Sequence, residues 1–172
     1  MLAGRIALAL ALLGFAAVAP ARAEMAPVPP FDDAAIAVRE NSFVAGTKIL
    51  TESGFKNIED IVAGDRVISF DIDAQRTVTS LVRDVTSRTE NAIYEMGIGG
   101  QVIQLTRDHP FLTTDGWRRT IETSIGDTII GLDGAQYRID TCRVRTGSFT
   151  VYNFEVEITG TFYVSDLRLL AH

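Results

Sequence analysis

The chain has 172 residues, close to the commonest size of a single domain, and 47% of them are hydrophobic, as in an ordinary globular protein. Its 16 lysines and arginines are outnumbered by 22 aspartates and glutamates, so the net charge at pH 7 is −6. Phosphate backbones bind clusters of basic residues. The charge balance therefore argues against nucleic acid as a partner, and it gives no support for binding to an anionic membrane.

Residues 1–23 have the three parts of a secretory signal peptide. Arg5 provides the positive charge, an uninterrupted apolar run covers Ile6–Ala19, and Ala21-Arg22-Ala23 is a small-x-small cleavage site. The apolar run is shorter than the roughly 20 residues that a membrane-spanning helix needs. We therefore expect a secreted or periplasmic protein that starts at Glu24 and has no membrane contact after the signal peptide is removed.

The next segment, residues 24–41, is predicted to be a leader or linker. Its stretch Ala26-Pro27-Val28-Pro29-Pro30 contains three of the five prolines of the chain. Proline-rich segments favour extended backbone over packed structure. We therefore predict that the folded domain comprises residues 42–172.

Beyond Ser42 the sequence consists of short runs of Val, Ile, Thr and Phe that are separated by Gly and Asp. Such runs predict β-strands, and the dipeptides Ser53-Gly54, Gly99-Gly100, Asp115-Gly116 and Asp133-Gly134 predict hairpin turns. No window has a long helical period, so the predicted fold class is all-β. The candidate strands are Lys48–Thr51, Arg66–Asp71, Val78–Ser87, Ala92–Ile98, Gln101–Thr106, Thr128–Leu132, Tyr137–Arg145, Tyr152–Glu157 and Thr161–Val164.

An internal repeat lies within this strand-rich region. Residues 49–71 align without gaps with residues 111–133 at a constant offset of 62 positions, and seven of the 23 pairs are identical. Two copies are too few for a solenoid, and they predict two related half-domains around a pseudo-twofold axis. Ser42 lies just before the first copy and His109 just before the second. The axis would bring these two residues to a common centre.

Metal and disulfide chemistry have little support in the composition. The only cysteine, Cys142, excludes an internal disulfide, and its apolar strand pattern predicts a small buried residue without a chemical role. Two histidines, one cysteine and scattered carboxylates give no metal-ligand spacing. No phosphate-binding glycine loop is present. We expect neither a metal nor a cofactor.

Several motifs, in order along residues 42–172, resemble those of Hint domains, the self-processing modules shared by inteins and hedgehog-type proteins. Together they are specific, whereas one alone would be weak. The resemblance implies the Hint fold for the whole of this region. The motifs are Ser42–Thr47, Gly54–Ile61, Gly64–Val67, the Thr-x-x-His stretch Thr106–His109, Val151–Val156, Thr161–Val164 and the ending Leu170-Ala171-His172.

The resemblance implies an autoprocessing reaction at the Asn41–Ser42 peptide bond. Ser42 Oγ would attack the Asn41 carbonyl and move the acyl group from nitrogen to oxygen. His109 would protonate the departing nitrogen, and Thr106 would hold and polarise the amide. In the family the position of His172 assists cyclisation of a terminal asparagine. The protein would act on its own chain, with water or another nucleophile as the acyl acceptor.

Two positions depart from the family pattern. Ser42 stands where most members have cysteine, and a hydroxyl is a weaker nucleophile than a thiolate near neutral pH. The chain ends at His172 without the terminal asparagine, so we expect N-terminal cleavage and no full splicing.

Other interpretations remain beside the autoprocessing hypothesis. One is a catalytically silent Hint-fold module that serves as a structural or binding unit, in which Ser42 is an ordered loop serine and His109 a structural turn residue. Another is an exported β-barrel binder. A serine hydrolase acting on a foreign substrate needs an aspartate that orients His109, and the adjacent Asp108 is expected to point away.

Overall fold

The computed structural model describes residues 25–30 and 41–172. The predicted signal peptide, residues 1–23, and most of the predicted leader, residues 24 and 31–40, lie outside the described residues. Strands and three short 3₁₀ turns make up the regular structure in these ranges, with no α-helix, so the predicted all-β class is confirmed. No helix in the same ranges has the length and apolar character needed to span a bilayer.

The strands differ from the prediction in length and in number. The sequence pattern predicted no strand at Phe43–Val44, Gly54–Asn57, Pro110–Thr113, Gly116–Arg119 or Leu169–Ala171. Two of the observed strands are long and pair with each other from Ile98 and Ile139 to Val82 and Val156. This pairing carries each strand through a polar stretch that the sequence pattern had divided into two strands. The strands are β1 Phe43–Val44, β2 Lys48–Thr51, β3 Gly54–Asn57, β4 Arg66–Asp71, β5 Arg76–Ile98, β6 Gln101–Leu105, β7 Pro110–Thr113, β8 Gly116–Arg119, β9 Thr128–Ile130, β10 Gln136–Val156, β11 Phe162–Val164 and β12 Leu169–Ala171.

One continuous sheet contains all of these strands. Its order is β11-β12-β7-β9-β10-β1-β6-β5-β4-β2-β3, with β8 attached to β7. Because β11 also pairs with β2, through Val164 and Ile49, the path returns on itself. The apolar side chains on the inner face form the main core, to which Phe43, Leu105 and Phe111 contribute fully buried rings and side chains.

The internal repeat is confirmed by the strand bounds. The same offset of 62 positions relates β2 to β7, β3 to β8 and the 3₁₀ turn Ile58–Asp60 to Thr120–Glu122. The local hydrogen bonds repeat as well: the Thr51 hydroxyl donates to the Gly54 carbonyl at 2.6 Å, and the Thr113 hydroxyl donates to the Gly116 carbonyl at 2.7 Å. The two repeat copies therefore fold alike over residues 48–60 and 110–122, each as a hairpin followed by a short 3₁₀ turn.

Residues 25–30 contain neither helix nor strand, but they pack on the folded domain. The Val28 side chain is only 4% exposed and lies against a second apolar cluster that includes Phe70, Leu112 and Tyr163. The expectation that this proline-rich stretch is extended without packing is therefore wrong at Val28. An extended backbone can still bury one apolar side chain when a complementary surface is available.

Cys142 lies in β10, as its strand pattern predicted, but it is half-buried and packs at the margin of the main core. Burial raises the pKa of its thiol. The thiol therefore stays protonated near neutral pH, and the protonated form is a poor nucleophile.

Candidate functional site

The Asn41–Ser42 peptide bond lies inside the protein, directly before β1. Phe43 pairs with Leu105 of β6 on one side and with Tyr152 of β10 on the other, which fixes the backbone on both edges. Ser42 is fully buried and Asn41 is 7% exposed. A serine hydroxyl next to a buried peptide bond is therefore held in one place by two neighbouring strands.

Thr106 holds this peptide bond from the end of β6. Its Oγ1 accepts a hydrogen bond from the Ser42 N–H at 2.9 Å and donates to the Ser42 carbonyl at 3.3 Å. The backbone N–H of Thr106 donates to the same carbonyl at 2.9 Å. The nitrogen of the Asn41–Ser42 bond is thus hydrogen-bonded to the residue that the Thr-x-x-His motif predicted.

Arg88 contacts the Ser42 hydroxyl directly, and no pattern in the sequence pointed to it. Its Nη1 donates to Ser42 Oγ at 2.7 Å, while its Nε donates to Glu90 Oε1 at 2.8 Å. Arg88 reaches the site because Val151 of β10 has both Val44 and Arg88 as strand partners, so β1 and β5 flank β10. This contact depends on strand order. In the sequence the residue is one arginine within a polar strand.

His109 is fully buried among aromatic rings at the start of β7. Its ring centroid lies 4.0 Å from that of Phe43, 5.8 Å from Phe111 and 6.1 Å from Phe162. Burial lowers the pKa of His109 to about 3, and His172 nearby adds to the lowering. The imidazole is therefore neutral across the physiological pH range. It packs on the residue next to Ser42 and makes no hydrogen bond to the Ser42 hydroxyl.

His172 is fixed to the domain and is not frayed. Its backbone N–H donates to the Pro110 carbonyl at 3.3 Å, directly after the pairing of Ala171 with Phe111. Its ring lies nearly perpendicular to that of Trp117, with the two centroids 5.9 Å apart. The last residue of the chain therefore lies beside the start of β7, where His109 is located.

A cavity of about 690 Å³ opens next to the peptide bond. Residues from both sides of the site line it, which gives room for a water molecule or a larger acyl acceptor beside Asn41. The lining residues are Asn41, Asp84, Thr86, Ser87, Arg88, Asn153, Phe154, Glu155, Val156, Gly160, Phe162 and His172.

Unpaired polar atoms are concentrated at this site. In the described part of the chain, four buried side-chain polar atoms lack a hydrogen-bond partner, and three of them are Asn41 Oδ1 and the two ring nitrogens of His109. Buried polar atoms are normally paired, and exceptions often mark functional positions. Asn41 and His109 therefore have hydrogen-bonding capacity that the resting fold does not use.

Asp108 does not orient His109. Its carboxylate lies 3.4 Å from Arg119 and 3.8 Å from Arg107, and the residue is 8% exposed. Since neither ring nitrogen of His109 has a hydrogen-bond partner within the described residues, Ser42, His109 and Asp108 do not form a triad. No group of three potential metal-ligating side chains lies close together within residues 25–30 and 41–172.

Comparisons with known proteins point to one family and one fold. The family of pretoxin HINT domains matches residues 48–169. A bacterial intein-like domain from Clostridium thermocellum is 33% identical, with a TM-score of 0.73 over 76% of this chain and 97% of that one. The DnaB intein from Synechocystis sp. PCC 6803 is 20% identical, with a TM-score of 0.68 over 77% of this chain and 98% of that one, and indicates the fold alone.

One curated relative is a much larger protein. The tRNA-splicing ligase RtcB of Methanopyrus kandleri is 30% identical over 107 residues, which cover 56% of this chain but only 11% of the ligase. The chain thus spans about a tenth of that relative's length. The similarity concerns that segment and does not extend to the ligase as a whole.

Proposed function

Because this chain belongs to the pretoxin HINT domain family, we propose that it is an exported autoprocessing domain that breaks its own Asn41–Ser42 peptide bond. The similarity to an intein-like domain at 33% identity supports the same class of reaction. Export rests on the signal-peptide pattern of residues 1–23. The reaction would then take place in the periplasm or outside the cell.

The observation that carries the proposal is the hydrogen bond between the Ser42 N–H and Thr106 Oγ1 at 2.9 Å. This contact satisfies a buried backbone N–H, and it does so at the nitrogen that must leave in the proposed reaction. The hydrogen bond fixes the amide, so that a group approaching the nitrogen finds it in a constant position. Holding both reacting groups within one chain also removes the entropy cost of a bimolecular encounter.

The first step is an N–O acyl shift. Ser42 Oγ forms a bond to the Asn41 carbonyl carbon, the C–N bond breaks, and the hydroxyl proton ends on the new α-amine of Ser42. Arg88 assists because its Nη1 donates to Ser42 Oγ at 2.7 Å, which stabilises negative charge as the hydroxyl loses its proton. The ion pair with Glu90 at 2.8 Å keeps the guanidinium in this position.

His109 carries the proton between the two atoms. In the resting state the imidazole, with a pKa of about 3, is unprotonated and is a weak base. Negative charge that develops on the Asn41 carbonyl oxygen favours the imidazolium form, because an opposite charge nearby raises the pKa of a histidine. The imidazole then accepts the proton from the attacking hydroxyl and gives it to the leaving nitrogen. The two unpaired ring nitrogens of His109 are available for these transfers.

The second step opens the ester between Asn41 and Ser42. A water molecule in the 690 Å³ cavity adds to the ester carbonyl, which leaves a carboxylate on Asn41 and restores the Ser42 hydroxyl. The products are the peptide 24–41 and a domain that starts at Ser42. His172 lines the same cavity and is positioned to bind the incoming water.

One observation favours a catalytically silent module as the second candidate. The Ser42 hydroxyl is bound by Arg88, and no hydrogen bond joins it to His109. A domain kept only for its fold could preserve such a contact for packing. The silent module predicts an intact chain under every condition.

Mass spectrometry of the purified protein separates the two candidates. The wild-type protein is incubated with and without hydroxylamine, which cleaves esters, and the fragment that begins at Ser42 is followed over time. Autoprocessing predicts that this fragment forms, that hydroxylamine accelerates it, and that it is absent in Ser42→Ala and at least about 100-fold slower in His109→Ala. An intact wild-type chain in hydroxylamine contradicts autoprocessing and leaves the silent module.

A further inference from the structure

The segment upstream of the scissile bond is held by a side-chain amide that pairs with its backbone. The Val28 N–H donates to Gln75 Oε1 at 2.7 Å, and Gln75 Nε2 donates to the Val28 carbonyl at 2.8 Å. The amide thus satisfies both polar groups of one residue, as a neighbouring strand would. This recognition requires an extended backbone at Val28 and is independent of its side chain.

A second contact follows at the next residue. The indole Nε1–H of Trp117 donates to the Pro29 carbonyl at 2.9 Å. Pro29 also approaches Gly116, where an added Cβ would lie 3.7 Å from the proline Cγ. Aromatic rings and proline in extended conformation are the usual components of proline-peptide recognition.

The side chain of Val28 provides the specificity. It is 4% exposed and fills an apolar cluster to which both halves of the repeat contribute equivalent residues, Leu50 with Leu112 and Ile68 with Ile130. The pocket for Val28 therefore lies between residues of the two repeat copies.

The turn between β4 and β5 sets the position of the Gln75 amide. Gln75 has φ of 50°, in the left-handed region that glycine and asparagine adopt more easily. Its side-chain amide also donates to the Ile72 carbonyl within the turn between β4 and β5, which orients the amide. The same amide pairs with Val28.

We propose that Gln75, Trp117 and the Val28 pocket form a docking site for an extended, proline-containing peptide, and that its occupant is residues 25–30 of this chain. Docking has one consequence that rests on the proposed function: the leader stays on the domain after cleavage at the Asn41–Ser42 bond. Until water opens the ester, the leader is attached covalently to Ser42 Oγ; after that step, only the contacts at Val28 and Pro29 hold it on the domain.

Trp117 is the one tryptophan of the chain, so its fluorescence reports on docking without any cleavage. In the full-length protein, Val28→Asp and Gln75→Ala are each expected to shift Trp117 emission to longer wavelength and to increase its quenching by acrylamide. The matched control is Val102→Asp on β6, because Val102 is 66% exposed and distant in sequence from both contacts. Emission in Val28→Asp and Gln75→Ala that equals wild type overturns the docking site.

A peptide added in trans tests the chemistry of the occupant. The hexapeptide Met-Ala-Pro-Val-Pro-Pro, with the sequence of residues 25–30, is expected to restore wild-type emission to Val28→Asp protein, whose own segment is weakened. The same peptide with Asp in place of Val should have no effect. Equal effects of the two peptides, or no effect of either, contradict the proposal.

Retention of the leader is measured after hydroxylamine treatment by size-exclusion chromatography. The released peptide should co-elute with the wild-type domain and separate from the Gln75→Ala domain. If no cleavage occurs, the proposed function fails while the Trp117 measurements still decide the docking site. If cleavage occurs and the wild-type leader separates freely, retention fails while autoprocessing stands.

Discussion

The backbone N–H of Ser42 donates to Thr106 Oγ1 across 2.9 Å, although 64 positions separate the two residues in the chain. Ser42 directly precedes β1, and Thr106 directly follows β6. The pairing of Phe43 with Leu105 between these strands fixes the distance. The hydrogen bond is therefore a product of the fold, and a local turn could not make it.

Removing the Thr106 hydroxyl should slow cleavage without unfolding the domain. Thr106→Ala leaves the buried Ser42 N–H without its partner, which costs about 1–3 kcal/mol. If the contact strengthens by this amount in the transition state, the rate of formation of the fragment that begins at Ser42 should fall about 10- to 100-fold. Thr106→Ser should recover most of the rate, because the hydroxyl remains.

Thr51→Ala is the matched control for this prediction. Thr51 is 7% exposed, and its hydroxyl donates to the Gly54 carbonyl at 2.6 Å in the first β-hairpin of the repeat. It should lower the free energy of unfolding by a similar amount and leave the cleavage rate within about twofold of wild type. Equal rates in Thr106→Ala and Thr51→Ala would remove Thr106 from the mechanism.

Replacing Arg88 should affect the acyl shift more than the stability of the fold. Arg88→Gln removes the charge next to Ser42 Oγ, and a hydrogen bond to a charged group contributes about 1.5–3 kcal/mol, so hydroxylamine-induced cleavage should slow about 10- to 100-fold. Arg83→Gln is the control on the same strand, because Arg83 is 61% exposed and pairs with Glu155 at 3.2 Å. A rate for Arg88→Gln that equals the rate for Arg83→Gln would contradict the role of Arg88.

The fold was predicted from the hydrophobic periodicity and the internal repeat, because both can be recognised in the sequence alone. The strands Lys48–Thr51 and Arg66–Asp71 have the predicted bounds. The strands β1, β3, β7, β8 and β12 were not predicted, because segments of two to four residues are too short to show a clear period. The polar middle of β5, around Arg88, is a strand only because β10 pairs with it.

The sequence predicted site residues only where they belong to a recognised motif. Thr106 and His109 belong to a recognised spacing, whereas Arg88 reaches Ser42 through strand order, and the packing of Val28 depends on an apolar cluster made by distant residues. The neutral state of His109 follows from the aromatic rings around it, which the sequence alone does not bring together.

Burial of His109 should make stability depend on pH. The pKa of His109 is about 3 in the folded protein and about 6.5 when unfolded, so between these values the unfolded state binds one more proton than the folded state. Above pH 6.5 the buried imidazole costs no stability by this mechanism. As the pH falls from 6.5 toward 3, the free energy of unfolding decreases by about 1.4 kcal/mol per pH unit.

Urea unfolding at several pH values between 7 and 4 measures this effect. His109→Phe keeps an aromatic ring against Phe43 and removes the titration, so its free energy of unfolding should fall less steeply with pH than that of wild type. His172→Gln retains His109 and should keep most of the wild-type slope. Parallel pH curves for wild type and His109→Phe would show that the imidazole is not held neutral by the fold.

Gly160 should be required to hold His172 beside the cavity. Its φ is 64°, and a Cβ at this position would lie 2.8 Å from His172 Nε2. Gly160→Ala therefore combines a left-handed backbone penalty of about 1–2 kcal/mol with a clash that costs about 1–3 kcal/mol more.

Gly46→Ala is the matched control and measures the backbone penalty alone. Gly46 has φ of 84°, and no neighbouring atom lies within 4 Å of an added Cβ. Urea unfolding should give the larger loss for Gly160→Ala, and NMR should show a shifted His172 imidazole in that variant alone. Equal losses for the two variants would mean that the His172 ring moves aside at no cost and is not fixed at the site.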